Sequence, residues 1–175
     1  MSKAFTRESD VEREEWTPPP PPSLPPGAKN YMTQAGAARL RAELSRLLEV
    51  RPDLARSPHP EDKAKLEKSD RRAQVLETIL ARVEVVPLPN SEESRVRFGA
   101  RVEVQWERGP QETFRIVGVE ESDWERNEIS WISPLARALM NHRAGDSVHV
   151  KRPAGSSSLI ILRVAYNPTA PEVGP

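Results

Sequence analysis

The chain has 175 residues, and its 26 Lys and Arg are balanced by 26 Asp and Glu, so the net charge is zero with 30% of residues charged. That balance excludes a generally basic, nucleic-acid-coating protein while leaving room for local patches. The absence of cysteine excludes a disulfide framework, thiolate zinc sites and a thiol nucleophile. Hydrophobic residues make up 37%, below the roughly 45–50% of ordinary domains, and 18 prolines put part of the length outside any core. His59, His142 and His149 stand singly among polar residues, and no HExxH, GxSxG or GxxxxGK[ST] string occurs. No apolar run approaches the roughly 20 residues of a membrane span, and the charged opening Met1–Glu15 does not read as a signal peptide. A soluble, cytoplasmic protein is expected.

Residues 1–30 lack apolar periodicity. Seven prolines fall within residues 18–27, each fixing φ and removing a donor, which predicts an extended polyproline II tail. A solvated spacer is the favoured reading of it, with a PxxP ligand as the other. Thr33 is an N-cap candidate for a helix in which Ala37, Leu40, Leu44, Leu47, Arg51 and Leu54 alternate at spacings of three and four, a heptad seam broken only by Arg51. Pro52 predicts that regular helix ends near Val50 or Arg51. After the turn signal Ser57-Pro-His-Pro60, a second seam runs through Leu66, Ser69, Ala73, Leu76, Leu80 and Val83. Two heptad helices joined by a short turn predict an antiparallel coiled-coil hairpin over residues 31–86.

Beyond a linker at 87–94 the apolar period changes to two. Val96, Phe98, Ala100, Val102, Val104 and Trp106 alternate with polar residues, predicting a strand with one buried face. Further strands are expected at Thr113–Val119, Ile129–Ile132, Ser147–Lys151 and Leu159–Tyr166. A short helix from Pro134 to Asn141 is expected to be capped by Ser133, with Pro134 at its first position. The fold class is therefore α+β: a helical hairpin followed by a small antiparallel-sheet domain with one helix at 95–166, then a polar tail at 167–175.

The two parts together resemble the GreA/GreB family of bacterial transcript elongation factors. Phe114-Arg-Ile-Val-Gly118, then Ile129-Ser-Trp-Ile-Ser-Pro-Leu-Ala-Arg-Ala-Leu139, then Gly145-Asp146 follow the family's C-terminal order. Leu44, Arg51-Pro52 and Asp70-Arg-Arg72 resemble the GreB branch. The resemblance implies an FKBP-like domain that docks on RNA polymerase and a coiled-coil finger that enters its secondary channel. It also implies metal-assisted hydrolysis of backtracked RNA, in which the polymerase supplies the main carboxylates and the factor's tip helps hold a second Mg²⁺. This chain departs from that pattern at the tip: residues 55–68 carry nothing like the family's acidic G-D-x-S-E-N string. The hairpin is also about 14 residues shorter than in such members, roughly 10 Å of lost reach at 1.5 Å per residue.

Glu61 and Asp62 are the only acidic pair near the tip, either a surrogate clamp for a shared Mg²⁺ or carboxylates complementing the helix dipole after Pro60; the second reading is favoured. Lys65, Lys68 and Arg72 form one stripe that would face an extruded RNA 3′ end, or else a solvated face laced by Glu61–Lys65 and Glu67–Arg71 pairs. Glu121-Ser-Asp-Trp124 aligns with the family's E-A-D-P docking loop, which makes Ser122, Asp123 and Trp124, with Ser133 and Pro134, the expected polymerase contacts. Trp124 is either an exposed interface anchor or folded over the sheet edge, the first being favoured; Trp131 is expected in the core. The resulting expectation is a monomeric polymerase-binding regulator, not an enzyme in its own right, with no cofactor or metal of its own. A cleavage-competent GreB-like factor using Glu61 and Asp62 is the alternative. A prolyl isomerase, which needs an aromatic-lined pocket, ranks last.

Overall fold

The protein's computed structural model describes residues 24–89, 93–107, 109–152 and 155–166. The proline-rich stretch up to residue 23, the middle of the expected linker and the tail from 167 lie outside the described residues.

Thr33 ends a three-residue strand, β1 (Tyr31–Thr33), in extended geometry, and its hydroxyl accepts from the Gly36 N–H at 3.0 Å. One donor orphaned at the helix start is thereby satisfied, and α1 (Gln34–Arg56) begins where the capping residue predicts. Contrary to expectation, α1 does not stop before Pro52; it continues one further turn to Arg56. The N–H that proline lacks leaves the Leu48 carbonyl without its helical donor, but Leu48 lies on the exposed side, where water can replace it. The helix carries Pro52 within its last turns, and next to it Arg51 donates from Nε and Nη2 to both oxygens of Asp70 on the following helix.

A connection of three residues, Ser57–His59, leads into α2 (Pro60–Arg82), with proline at the first helical position. The two seams meet as their spacing requires. Ala37, Ser69, Ala73 and Leu76 are buried, Leu40, Leu44, Leu47, Leu54, Leu66 and Leu80 are half-buried, and most intervening positions are exposed. Two bidentate bridges, Arg51–Asp70 and Arg72–Glu43, tie one helix to the other. After α2 the extended Val83 turns the chain into β2 (Glu84–Val86), which pairs in parallel with β1. This small second sheet was not foreseen, because three residues are too short to display a period.

The remaining strands are β3 (Arg101–Trp106), β4 (Gln111–Val117), β5 (Glu128–Ser130), β6 (Ser147–Arg152) and β7 (Gly155–Ala165), in the spatial order β5-β4-β3-β7-β6. Val102, Val104 and Trp106 are buried on β3 while Arg101, Glu103 and Gln105 are not, as the alternation predicts. Leu159 and Ile161 of β7 face the same core. A register shift between Glu103 and Val104 leaves Leu162 unopposed on β7. The sheet is mixed and not antiparallel throughout: β5 runs parallel to β4. The chain leaves β4, crosses a 3₁₀ turn (Val119–Glu121) and returns along the same edge in the same direction. The third strand also stops at Ser130, which puts Trp131 in the following turn, partly buried against the core.

Ser133 accepts from the Ala136 N–H at 3.2 Å and opens α3 (Pro134–Leu139), which ends two residues before the expected Asn141. Leu135, Ala136 and Leu139 cover the sheet and complete one cluster with Phe114, Ile116 and Val150. At the chain's far end the Tyr166 hydroxyl accepts from the Arg97 N–H at 2.8 Å and donates to the Arg95 carbonyl, pinning β7 to the stretch before β3.

Candidate functional site

Three places hold the residues singled out by sequence, and a fourth emerges from the structure. At the helix tip Asp62 is fully engaged: Oδ2 accepts from the Ser57 hydroxyl at 2.6 Å and Oδ1 from Lys65 Nζ at 2.9 Å. The Ser57 hydroxyl, and after it Lys65, hold its carboxyl below the usual range. Glu61 is exposed and has no partner among the described residues. The tip fits the reading of first-turn carboxylates at a helix start.

Along the stripe, Lys65 pairs with Asp62 at i,i−3 and not with Glu61, which corrects the expected i,i+4 pair; Glu67–Arg71 does form. Arg72 donates from Nε to Glu43 Oε1 at 2.7 Å and from Nη2 to Oε2 at 2.9 Å, which lowers the Glu43 pKa. Lys68 is exposed and unpaired among the described residues. Two of the three basic groups therefore already bind carboxylates of this chain.

In the globular domain the loop Ser122–Asn127 is closed by a reciprocal backbone pair. Asp123 N–H donates to the Glu128 carbonyl at 2.9 Å, and Glu128 N–H donates to the Asp123 carbonyl at 2.8 Å. Asp123 Oδ1 accepts from the Glu125 N–H at 3.0 Å, and Asn127 closes the turn at a positive φ of 53°. Trp124 answers to both readings: its ring centroid lies 6.2 Å from that of buried Phe114, and 42% of the residue remains exposed. Pro134 is exposed beside the cap residue Ser133.

The fourth place, missed by the sequence reading, is the junction between the root of α1 and this loop. Glu121 is only 5% exposed, and its carboxylate accepts from the Thr33 N–H at 2.8 Å, from the Thr33 hydroxyl and from the Gly118 N–H at 3.0 Å. Glu128 is 4% exposed and accepts from Arg39 Nη1 and Nη2 at 3.0 and 3.1 Å, with Arg115 Nη1 at 3.6 Å on its other oxygen. Burying a carboxylate is costly unless donors surround it, and here they do. A Cβ on Gly36 would lie 1.9 Å from Glu121 Oε1, so any larger residue there must displace the Glu121 carboxylate. Tyr31 packs on Trp131 and Phe98, with centroids 5.4 and 6.0 Å apart. A glycine in the first turn of a helix was the available signal, since it weakens the helix unless something approaches closely. Nothing in the sequence separates buried Glu121 from exposed Glu120.

The family model described as "Transcription elongation factor, GreA/GreB, C-term" matches residues 90–166. The GreB of Neisseria meningitidis serogroup B (strain MC58) is 37% identical over 154 residues, covering 79% of this chain and 94% of the relative. The chain belongs to the GreA/GreB family of transcription elongation factors. Among its other GreA/GreB relatives, the GreB of Pseudomonas aeruginosa is 38% identical over 152 residues, covering 78% of this chain and 90% of that protein. A GreA of Sinorhizobium medicae is 42% identical over a shorter stretch of 96 residues, 54% of this chain and 61% of that one. The solved GreA/GreB structure from Nitrosomonas europaea aligns at a TM-score of 0.39 with 22% identity, covering 79% of this chain and 99% of that one.

Proposed function

We propose that this protein docks on bacterial RNA polymerase and regulates elongation by occupying the secondary channel without completing a cleavage site. In this reading the FKBP-like globular domain binds through Asp123, Trp124 and the neighbouring Ser122, Ser133 and Pro134. The helix pair is a coiled-coil finger that projects toward the nascent RNA 3′ end, with Lys65, Lys68 and Arg72 as its basic stripe. The protein is a monomer in the cytoplasm and is no enzyme by itself.

The observation that carries the reading is the state of the tip. Both oxygens of Asp62 serve the Ser57–His59 connection and Lys65, so Glu61 is the one carboxylate there left to offer. Among the described residues no group of three or more His, Cys, Asp or Glu could hold a metal ion. A tip that offers one free carboxylate is a poor match for the octahedral shell of Mg²⁺, which demands well-placed oxygens, and this supports the non-cleaving reading.

The test is RNA cleavage in a halted, backtracked bacterial elongation complex with Mg²⁺, with and without the protein. The expected result is unshortened RNA, together with inhibition of an added long-fingered cleavage factor. Shortened RNA that disappears on Glu61→Ala with Asp62→Ala would instead establish a cleavage-competent factor. Absence of both effects would remove the polymerase from the reading.

A further inference from the structure

The junction joins two things that the proposed function keeps separate, the surface that docks and the finger that acts. Glu121 immediately precedes the loop Ser122–Asn127, and Glu128 immediately follows it. The side chain of Glu121 grips the N-cap residue of α1, and that of Glu128 grips Arg39 in its second turn. Through its backbone, Glu128 also closes the loop on Asp123, and its carbonyl accepts from the Ser122 hydroxyl at 3.3 Å. Each end of the loop is thus bonded to the root of the helix pair by a buried carboxylate.

We propose that Glu121 and Glu128 are positioning residues that lock the root of α1 to the loop Ser122–Asn127, so that a partner held by the loop fixes the direction in which the helix tip projects. The inference deepens the polymerase-docking reading and rests on it for the identity of the partner, while the lock itself is a property of the free protein. Two close approaches make the lock stiff. Gly36 leaves room for Glu121 Oε1 where any Cβ would collide, and Gly118 brings the backbone so near β1 that a Cβ there would lie 2.2 Å from the Tyr31 carbonyl. The lever is long: 23 residues of α1 span about 35 Å, so a swing of roughly 10° at the root displaces the tip by about 6 Å.

The chain has no cysteine, so nitroxide labels at Ala64→Cys on exposed α2 and Ser147→Cys at the start of β6 report one distance by pulsed electron-spin resonance. The parent protein is expected to give a narrow distribution. Gly36→Ala is the sharpest variant, because alanine is the better helix former and a purely helical role predicts an unchanged or narrower distribution. The lock predicts the opposite: displaced Glu121 shifts or broadens the distance by about 5 Å or more. Glu121→Ala should do the same, with Glu121→Gln restoring much of the parent width because it keeps an oxygen for the Thr33 and Gly118 N–H groups. Arg39→Gln, on a half-exposed helix position, carries the Glu128 arm and removes no core side chain. An unchanged distribution in both Gly36→Ala and Arg39→Gln overturns the lock.

A parallel titration with polymerase separates the two readings. Gly36→Ala should bind within about threefold of the parent yet lose inhibition of a cleavage factor at equal occupancy, whereas Asp123→Ala should lose about tenfold or more in affinity. If the parent protein fails to bind polymerase, the docking reading falls, and the distance measurement still decides the lock.

Discussion

In the globular domain Val102, Val104, Phe114, Ile116, Leu139 and Ile161 are sealed from water in one contiguous cluster. Along α1 and α2, Ala37, Ala73 and Leu76 are the apolar side chains that reach burial. The domain is therefore held by apolar area, which salt does not screen as it screens ion pairs and which is gained cooperatively. The helix pair leans on half-buried leucines, cross-helix ion pairs and its anchorage at the root. Exposed ion pairs contribute roughly 0.2–1 kcal/mol each, so the pair should open locally at a lower free energy than the domain unfolds. A projecting element with a long perimeter and little interior has no other way to be stable, and its direction must come from where it is rooted.

The comparison breaks or sharpens on a series of variants. Phe114→Ala removes the largest fully buried side chain and should cost about 3–5 kcal/mol, with amide protection lost across β3, β4 and β7 together. Leu76→Ala should cost about 2–5 kcal/mol, but the faster exchange should stay within α1 and α2. If β3 protection falls in step, the two regions unfold as one unit and the contrast fails. Tyr166→Phe removes a hydroxyl that serves two backbone groups and should cost about 1–3 kcal/mol in urea denaturation. Burial pushes the Tyr166 phenol up to about 12. Because the folded value lies above the unfolded one of about 10, its contribution is complete below pH 10 and is lost as pH rises through the folded value. The variant should flatten that alkaline loss.

Smaller effects test the helix pair alone. Arg51→Ala should destabilise slightly, an effect nearly abolished in high salt, and a double-mutant cycle with Asp70→Ala isolates the coupling. At the tip, the lowered Asp62 pKa means that its stabilising link is present above the unfolded value of about 3.9 and is lost as pH falls through the lower folded value. Protection of the Lys63 amide, which donates to the His59 carbonyl at 3.3 Å, should therefore fall in that acid window relative to a free chain at the same pH, and lose the dependence in Asp62→Asn.

Both seams, the alternation of β3 and the caps at Thr33 and Ser133 were legible because each is a local pattern whose period or hydroxyl matches one backbone geometry. The course of α1 past Pro52 was not, because proline marks a helix end by its local chemistry and the packing of α1 against α2 is not a local property. The parallel pairing of β5 was not either: three residues show which face is buried but not which way the strand runs. The candidate site divides the same way. Glu61, Asp62, Lys65, Lys68 and Arg72 could be named from type and spacing and Asp123 from the family resemblance, but their partners could not, since Glu43 meets Arg72 only when the helices fold together.

By itself, then, the sequence determined two amphipathic helices with a three-residue turn, a small alternating-strand domain and, through the motifs around Phe114–Gly118 and Ile129–Leu139, membership of the GreA/GreB family. The elements follow from backbone periodicity and near-neighbour chemistry, which act over a few residues, and the family follows from the resemblance of its motifs. Tertiary structure alone decided that Glu121 and Glu128 are buried, that Thr33, 88 residues from Glu121, donates to it, and that a glycine at position 36 makes room for the carboxylate. A charged side chain can leave water only where the fold gathers enough donors around it, and that gathering is a property of distant segments meeting in space.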